Sequence, residues 1–228
     1  MRSNFYVLSF MAGITIVLGF LLSFAAASLK DKQDFNIEID IKKNILSSLN
    51  IPADQSEKLS QNDIQKLYDE EITTLHINKN GMKSEDGTLR VYIAADGVQP
   101  KGYSIPISGK GLWSTIYGYI ALEPDGKTVK GITFYKHGET PGLGGELEKD
   151  WFTSNYKGKK IYNDEGKLVS IEIVKGQVNQ NDIDAIHQVD GISGSTLTTK
   201  GMNRFIANDL KTYKPFLDRV KAGEDVIE

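Results

Sequence analysis

The stretch STIYGYIALEPDGKTVKGITFYK, residues 114–136, decides the fold. Two β-rich runs flank Pro124, Asp125 and Gly126. Proline presets φ at the first turn position and glycine accepts φ > 0, so the chain reverses here and the runs pair as an antiparallel hairpin. Upstream, ITTLHIN (residues 72–78) is a second β-branched run, and in RVYIAADG (residues 90–97) Val91 and Ile93 alternate with Arg90 and Tyr92. These read as a hairpin or a pair of neighbouring strands. Downstream, LVSIEIV (residues 168–174) sets Leu168, Ser170 and Glu172 against Val169, Ile171 and Ile173, the pattern of a strand with one buried face.

Helical patterns bracket these strands. Ile41, Ile45, Leu46 and Leu49 recur at helical spacing until Pro52 ends the run, and Ser60 is placed to cap a second helix carrying Ile64, Leu67 and Tyr68. The glycine-rich TPGLGGELEKDWF (residues 140–152) leads into a helix expected around residues 146–153. MNRFIANDLKTY (residues 202–213) belongs to a terminal helix expected to break near Pro215. Helices, a strand-rich middle and helices again predict an α+β fold, an antiparallel sheet with flanking helices.

The N-terminus differs in kind. No charge occurs from Ser3 to Leu29, and FYVLSFMAGITIVLGFLLSFAAA (residues 5–27) is almost wholly apolar. About 20 such residues span a bilayer as a helix. Arg2 and the small residues Ala25, Ala26 and Ala27 also suit a cleaved signal peptide, but the run exceeds the roughly 7–15 residues usual for a signal core, which favours an uncleaved anchor. The expected division is an anchor over residues 1–32 and a soluble domain over residues 33–228. Counting Lys30, Lys32, Lys42 and Lys43 against Arg2 would place the domain inside the cell. The interspersed Asp31, Asp34, Glu38 and Asp40, and the signal-like start, favour export instead.

The net charge of −3 gives no footprint for nucleic acid. With no cysteine in the chain, disulfides, thiolate nucleophiles and iron–sulfur ligation are excluded, so redox chemistry here requires a borrowed organic cofactor. His76, His137 and His187 are far apart and show no metal spacing, and Asp182, Asp184 and Asp190 form no calcium loop. No metal site and no catalytic residue is expected.

The stretch VDGISGSTLTTKG, residues 189–201, places many small hydroxyls where the last helix begins. GISGS misses the G-x-S-x-G nucleophile elbow, and the stretch lacks the order of a P-loop. What remains is either a capped helix after a surface turn or a helix N-terminus built for a phosphate; spacing alone leaves both open. Residues 140–146 are similarly an exposed turn, or a loop whose Gly142, Gly144 and Gly145 admit a flat ring beside Leu143. Trp113 reads as core or as the lining of a site. Tyr117 and Tyr119 read as strand residues, one facing each way.

Asp190, Gly191, Ile192, Ser193, Gly194, Ser195 and Thr196 resemble the flavinylation motif Asp-x-x-Ser/Thr-Gly-Ala-Thr of the FMN-binding domain family. GKGLWSTIYGYIAL (residues 109–122) and HGETPGLGGE (residues 137–146) resemble one branch of it, the C subunits of the sodium-translocating NADH:quinone oxidoreductases. The resemblance implies FMN joined through a phosphoester to Thr196, with Ser193, Gly194, Ser195, Thr198 and Thr199 around the phosphate and Trp113, Thr140, Gly142, Leu143 and Gly144 around the ring. It implies an electron-carrying flavoprotein of a sodium-pumping translocase that links NADH oxidation to ubiquinone reduction. Its partners would be the other subunits and, during maturation, a flavin transferase; its place would be the bacterial inner membrane, single-pass, with the domain on the periplasmic side. NADH and quinone sites belong to other subunits, since no dinucleotide fingerprint is present. Ser195 departs from the motif's alanine. Asp190 would cap the turn or be read by the transferase rather than bind phosphate. Two alternatives are the G subunit of the Rnf ferredoxin:NAD electron-transport complex and a cofactor-free anchored binding module.

Overall fold

The computed structural model describes residues 4–52, 59–96 and 99–226. It divides into two compact units, Met1–Asp40 and Ile41–Glu228. The helix α1 (Asn4–Ser48) is one continuous element of 45 residues. The expected anchor and the expected short helix ending at Leu49 are therefore a single helix; no glycine or proline lies between residues 28 and 48 to part them. Its apolar stretch is long enough to cross a membrane and is not buried in protein.

In the second unit, α2 (Gln61–Glu71) starts at Ser60 with a capping box: Ser60 Oγ accepts from the Asp63 N–H, while the Asp63 carboxylate accepts from the Ser60 N–H. Five antiparallel strands follow in chain order: β1 (Ile72–Ile77), β2 (Leu89–Asp96), β3 (Gln99–Lys110), β4 (Thr115–Leu122) and β5 (Val129–Lys136). The β4–β5 hairpin forms as its turn chemistry predicts. Gly126 has φ +64°, and Asp125 Oδ1 accepts from the N–H groups of Lys127 at 2.8 Å and Thr128 at 2.9 Å. Tyr117 and Tyr119 share a face, both packing against Tyr135, because residues two apart on a strand point the same way.

The central strand β3 was not visible in the sequence. Pro106 lies beyond Ser104, the last residue of β3 that pairs with β2, so only β4 flanks it; Pro100 lies beside the irregularity between Ala94 and Ala95. One sheet face packs on α4 (Thr196–Lys221), joining Ile105, Ile107, Ile116 and Ile120 to Met202, Phe205, Ile206 and Leu210 in the core. On the opposite face, Ser48 Oγ lies 2.8 Å from Ser104 Oγ, and Thr133 Oγ1 donates to the Asn44 carbonyl at 3.1 Å.

Three expected elements differ. LVSIEIV forms only the two-residue strand β6 (Glu172–Ile173), parallel to β7 (Gln188–Val189), because Ser170 at φ +68° breaks the pleat, burying itself and exposing Val169. The helix expected over 146–153 is a 3₁₀ turn (Gly144–Glu148) and then α3 (Asp150–Thr153), parted by Lys149 in extended conformation at ψ 144°. α4 does not break at Pro215. A helical proline costs about 3 kcal/mol, but buried Leu210 and Tyr213 before it and Phe216, Leu217 and Val220 after it hold both halves on the sheet at about 1.5–3 kcal/mol each.

Candidate functional site

The start of α4 is fixed by its neighbours. Asp190 Oδ1 accepts from the Val178 N–H at 2.7 Å, and the Gly191 N–H donates to the Gly176 carbonyl at 2.7 Å, so Asp190 caps a turn. Gly194 follows at φ +73°, a conformation that suits glycine. A Cβ there would stand 2.6 Å from Leu143 Cδ2, so the flavinylation-like turn and the glycine-rich loop are in direct contact.

Ser195 is the N-cap residue, yet its side chain makes no capping bond: Oγ donates backward to the Ile192 carbonyl at 3.0 Å. Thr199 Oγ1 donates to the carbonyls of Ser195 and Thr196, and Thr198 Oγ1 donates to Glu139 Oε2 at 2.7 Å. These three hydroxyls are buried and engaged with protein acceptors, whereas Ser193 and Thr196 are exposed. The result is a helix N-terminus whose first-turn amides have no side-chain cap, beside one exposed threonine hydroxyl. Open amides at the positive end of a 26-residue helix suit a phosphate ester.

The second half of the site is the loop between β5 and α3. The Thr140 carbonyl accepts from the N–H groups of Leu143 at 3.1 Å and Gly145 at 2.9 Å, and the Gly142 N–H donates to Glu146 Oε1 at 3.2 Å. This winds the loop tightly and turns Leu143 outward. Gly144 is buried; a Cβ there would sit 2.7 Å from Thr198 Oγ1 and 3.0 Å from Glu139 Oε2. Its bareness thus serves the packing of this loop on α4.

The third segment is the β3–β4 connection. Trp113 is 69% exposed, which removes the core reading, and Leu112 is exposed beside it. Glu139 ties this segment to the other two. It is 5% exposed, and its carboxylate accepts from the N–H groups of Trp113 (2.9 Å), Ser114 (3.3 Å) and Leu112 (3.3 Å) as well as from Thr198. Burial works to raise the Glu139 carboxyl, but the bonds from Thr198, Trp113, Ser114 and Leu112 outweigh it and hold the group below the usual carboxylate range.

The structure therefore brings together the three segments that carry the residues expected around phosphate and ring: the loop with Thr140, Gly142, Leu143 and Gly144, the turn from Ser193 to Thr199, and the connection with Trp113. Leu112, Trp113, Leu143 and Leu197 stand exposed on the segments that meet there, a set of apolar side chains fit to cover a flat ring. Glu139 was missed. It lies inside a quoted motif, but nothing in residue spacing marks one acid as buried. Among the described residues no cluster of His, Cys, Asp and Glu could hold a metal.

Residues 111–211 match the FMN-binding domain family. Over 255 aligned residues, covering 95% of each chain, the protein is 32% identical to the C subunit of the Na(+)-translocating NADH-quinone reductase of Vibrio alginolyticus. It is 42% identical to the corresponding subunit of Yersinia pestis over 146 residues, which span 63% of this chain and 53% of that one. The crystal structure of the C subunit from Parabacteroides distasonis superposes with a TM-score of 0.71 at 33% identity, covering 83% of this chain and 96% of that one.

Proposed function

The chain belongs to the family of C subunits of the Na(+)-translocating NADH-quinone reductases, and from that premise we propose that it carries FMN covalently, through a phosphoester to Thr196. It is an electron-carrying subunit with an FMN-binding domain. The observation that carries the covalent reading is Thr196 itself: exposed, on the first turn of α4, beside an N-cap side chain that leaves the helix amides open.

Bound FMN supplies reversible uptake and release of electrons. The chain's own residues bind and orient it. First-turn amides of α4 and the Ser193 hydroxyl hold the phosphate, and the helix dipole offsets its charge. Trp113, Leu143 and Leu197 cover the ring and keep water from it, while Gly194 lets Leu143 approach the phosphate turn. Ser195, Thr198 and Thr199 act one step back, fixing the turn through their bonds to Ile192, Glu139 and the helix carbonyls. No residue of this chain has to move a proton.

Residues 1–32 anchor the chain in the membrane, and the domain from residue 33 lies on the periplasmic side, among the other subunits of the complex. A flavin transferase attaches the FMN, reading the motif from Asp190 to Thr196; Ser195 in place of alanine adds one hydroxyl that the Ile192 carbonyl satisfies. Denaturing gel electrophoresis tests the reading. The wild-type chain retains flavin fluorescence and Thr196→Ala loses it with its fold intact. A fluorescent Thr196→Ala band would overturn it.

A further inference from the structure

Among the described residues, Glu139 is the one buried acidic side chain, and it lies where three chain segments meet. Three consecutive backbone N–H groups, from residues 112 to 114, converge on its carboxylate, and Thr198 Oγ1 adds a fourth donor from α4. Successive amides aimed at one point form a concavity of the kind that binds anions. Here the anion is part of the chain. Two glycines leave room for it: a Cβ on Gly111 would stand 2.6 Å from Glu139 Oε1, and one on Gly144 3.0 Å from Oε2.

The same short segment is held again from the other side. Ser114 Oγ accepts from the Gly138 N–H at 2.6 Å, and the Gly111 N–H donates to the Ser114 carbonyl at 2.9 Å. His137 Nδ1 accepts from the Glu139 N–H at 3.2 Å, setting the direction in which the acid leaves the backbone.

We propose that the Glu139 carboxylate is the latch of the cofactor site: a positioning residue that clamps the Trp113 segment to Thr198 and to the glycine-rich loop, so that the two sides of the ring pocket are preorganised before flavin arrives. A neutral group cannot replace it. The glutamine amide at residue 139 presents one acceptor oxygen and a donor NH₂ to four donors, so part of the cluster is left facing a donor. Binding then has to order the segment, which a preformed pocket avoids.

This inference rests on the FMN reading, and its test separates the two. Hydrogen exchange is measured on the full chain in detergent, in a flavin-free preparation. The amides of Leu112, Trp113 and Ser114 are slow in the wild type and at least about tenfold faster in Glu139→Gln, while those of the β4–β5 hairpin are unchanged. Glu139→Gly opens a cavity beside the amides, and added formate restores their protection saturably. In the flavin-loaded protein, Glu139→Gln still carries its label but shows an altered visible circular dichroism spectrum and a shifted midpoint potential. Thr198→Ser, which keeps the hydroxyl, matches the wild type in both. Unchanged exchange at residues 112–114 in Glu139→Gln overturns the latch whatever the flavin does; so does a loaded Glu139→Gln protein with wild-type spectrum and potential. A wild-type chain that never takes up flavin defeats the FMN reading and leaves the exchange result standing by itself.

Discussion

Replacing Gly201 with alanine sets two known effects against each other. Gly201 lies inside α4, where alanine is favoured over glycine by about 1 kcal/mol. The added Cβ, however, would overlap the Lys110 carbonyl oxygen, well inside the ordinary van der Waals contact distance, and would stand 3.2 Å from Gly111 Cα. Both are backbone atoms of a segment that the Gly111–Ser114 hydrogen bond and the Glu139 cluster hold in place, so neither can swing aside. Overpacking of this kind costs about 1–3 kcal/mol, and with immobile backbone the upper half of that range applies. The steric cost wins, and the net loss is about 1–2 kcal/mol. For a domain of this size that lowers the thermal midpoint by roughly 2–8 °C. The assay is thermal denaturation of the detergent-solubilised chain followed by near-ultraviolet circular dichroism. The helix start also moves away from the Trp113 segment, so the flavin spectrum of the loaded protein shifts with it. A midpoint equal to or above that of the wild type would refute the close contact of α4 with the end of β3.

Other perturbations probe the ring site, a half-buried acid and the membrane side. Trp113→Ala and Gly144→Val keep the covalent label yet shift flavin absorbance and midpoint potential; a pair with wild-type values would return these loops to ordinary turns. Burial pushes the Asp209 carboxyl up to about 6, against a weaker lowering by the Ser108 N–H, so its contribution to stability is full below the unfolded carboxylate pKa and is lost as pH rises through about 6. Asp209→Asn therefore raises the melting temperature at pH 8 and not at pH 3, and an equal effect at both values contradicts the assignment. Protease added to spheroplasts digests the domain from the periplasmic side, and a protected domain would place it in the cytoplasm.

Elements specified by neighbouring residues were legible in the sequence. The β4–β5 hairpin follows from Pro124, Asp125 and Gly126, and the start of α2 from Ser60 and Asp63, because each device acts within four residues. β3 was not, since Pro100, Gly102, Pro106 and Gly109 interrupt its alternation and the pairing with β2 and β4 supplies what local preference lacks. Pro215 misled for the same reason: its cost is local, while the burial that offsets it comes from a sheet far away in sequence. At the site, Thr196 and its motif were read by resemblance, and the fold places Leu143 against Gly194 of that turn. Glu139 escaped because its meaning lies in donors from residues 112–114 and 198, which only the folded chain assembles.

The central claim is a bond between FMN and one particular hydroxyl. Digestion after lysine yields a peptide from Gly176 to Lys200 that contains Ser193, Ser195, Thr196, Thr198 and Thr199 together. Fragment-ion mass spectrometry of that peptide, from wild-type protein matured with its flavin transferase, is predicted to place one FMN phosphoester on Thr196 and none on the other four. An unmodified peptide, or the mass on any of those four, would contradict the account.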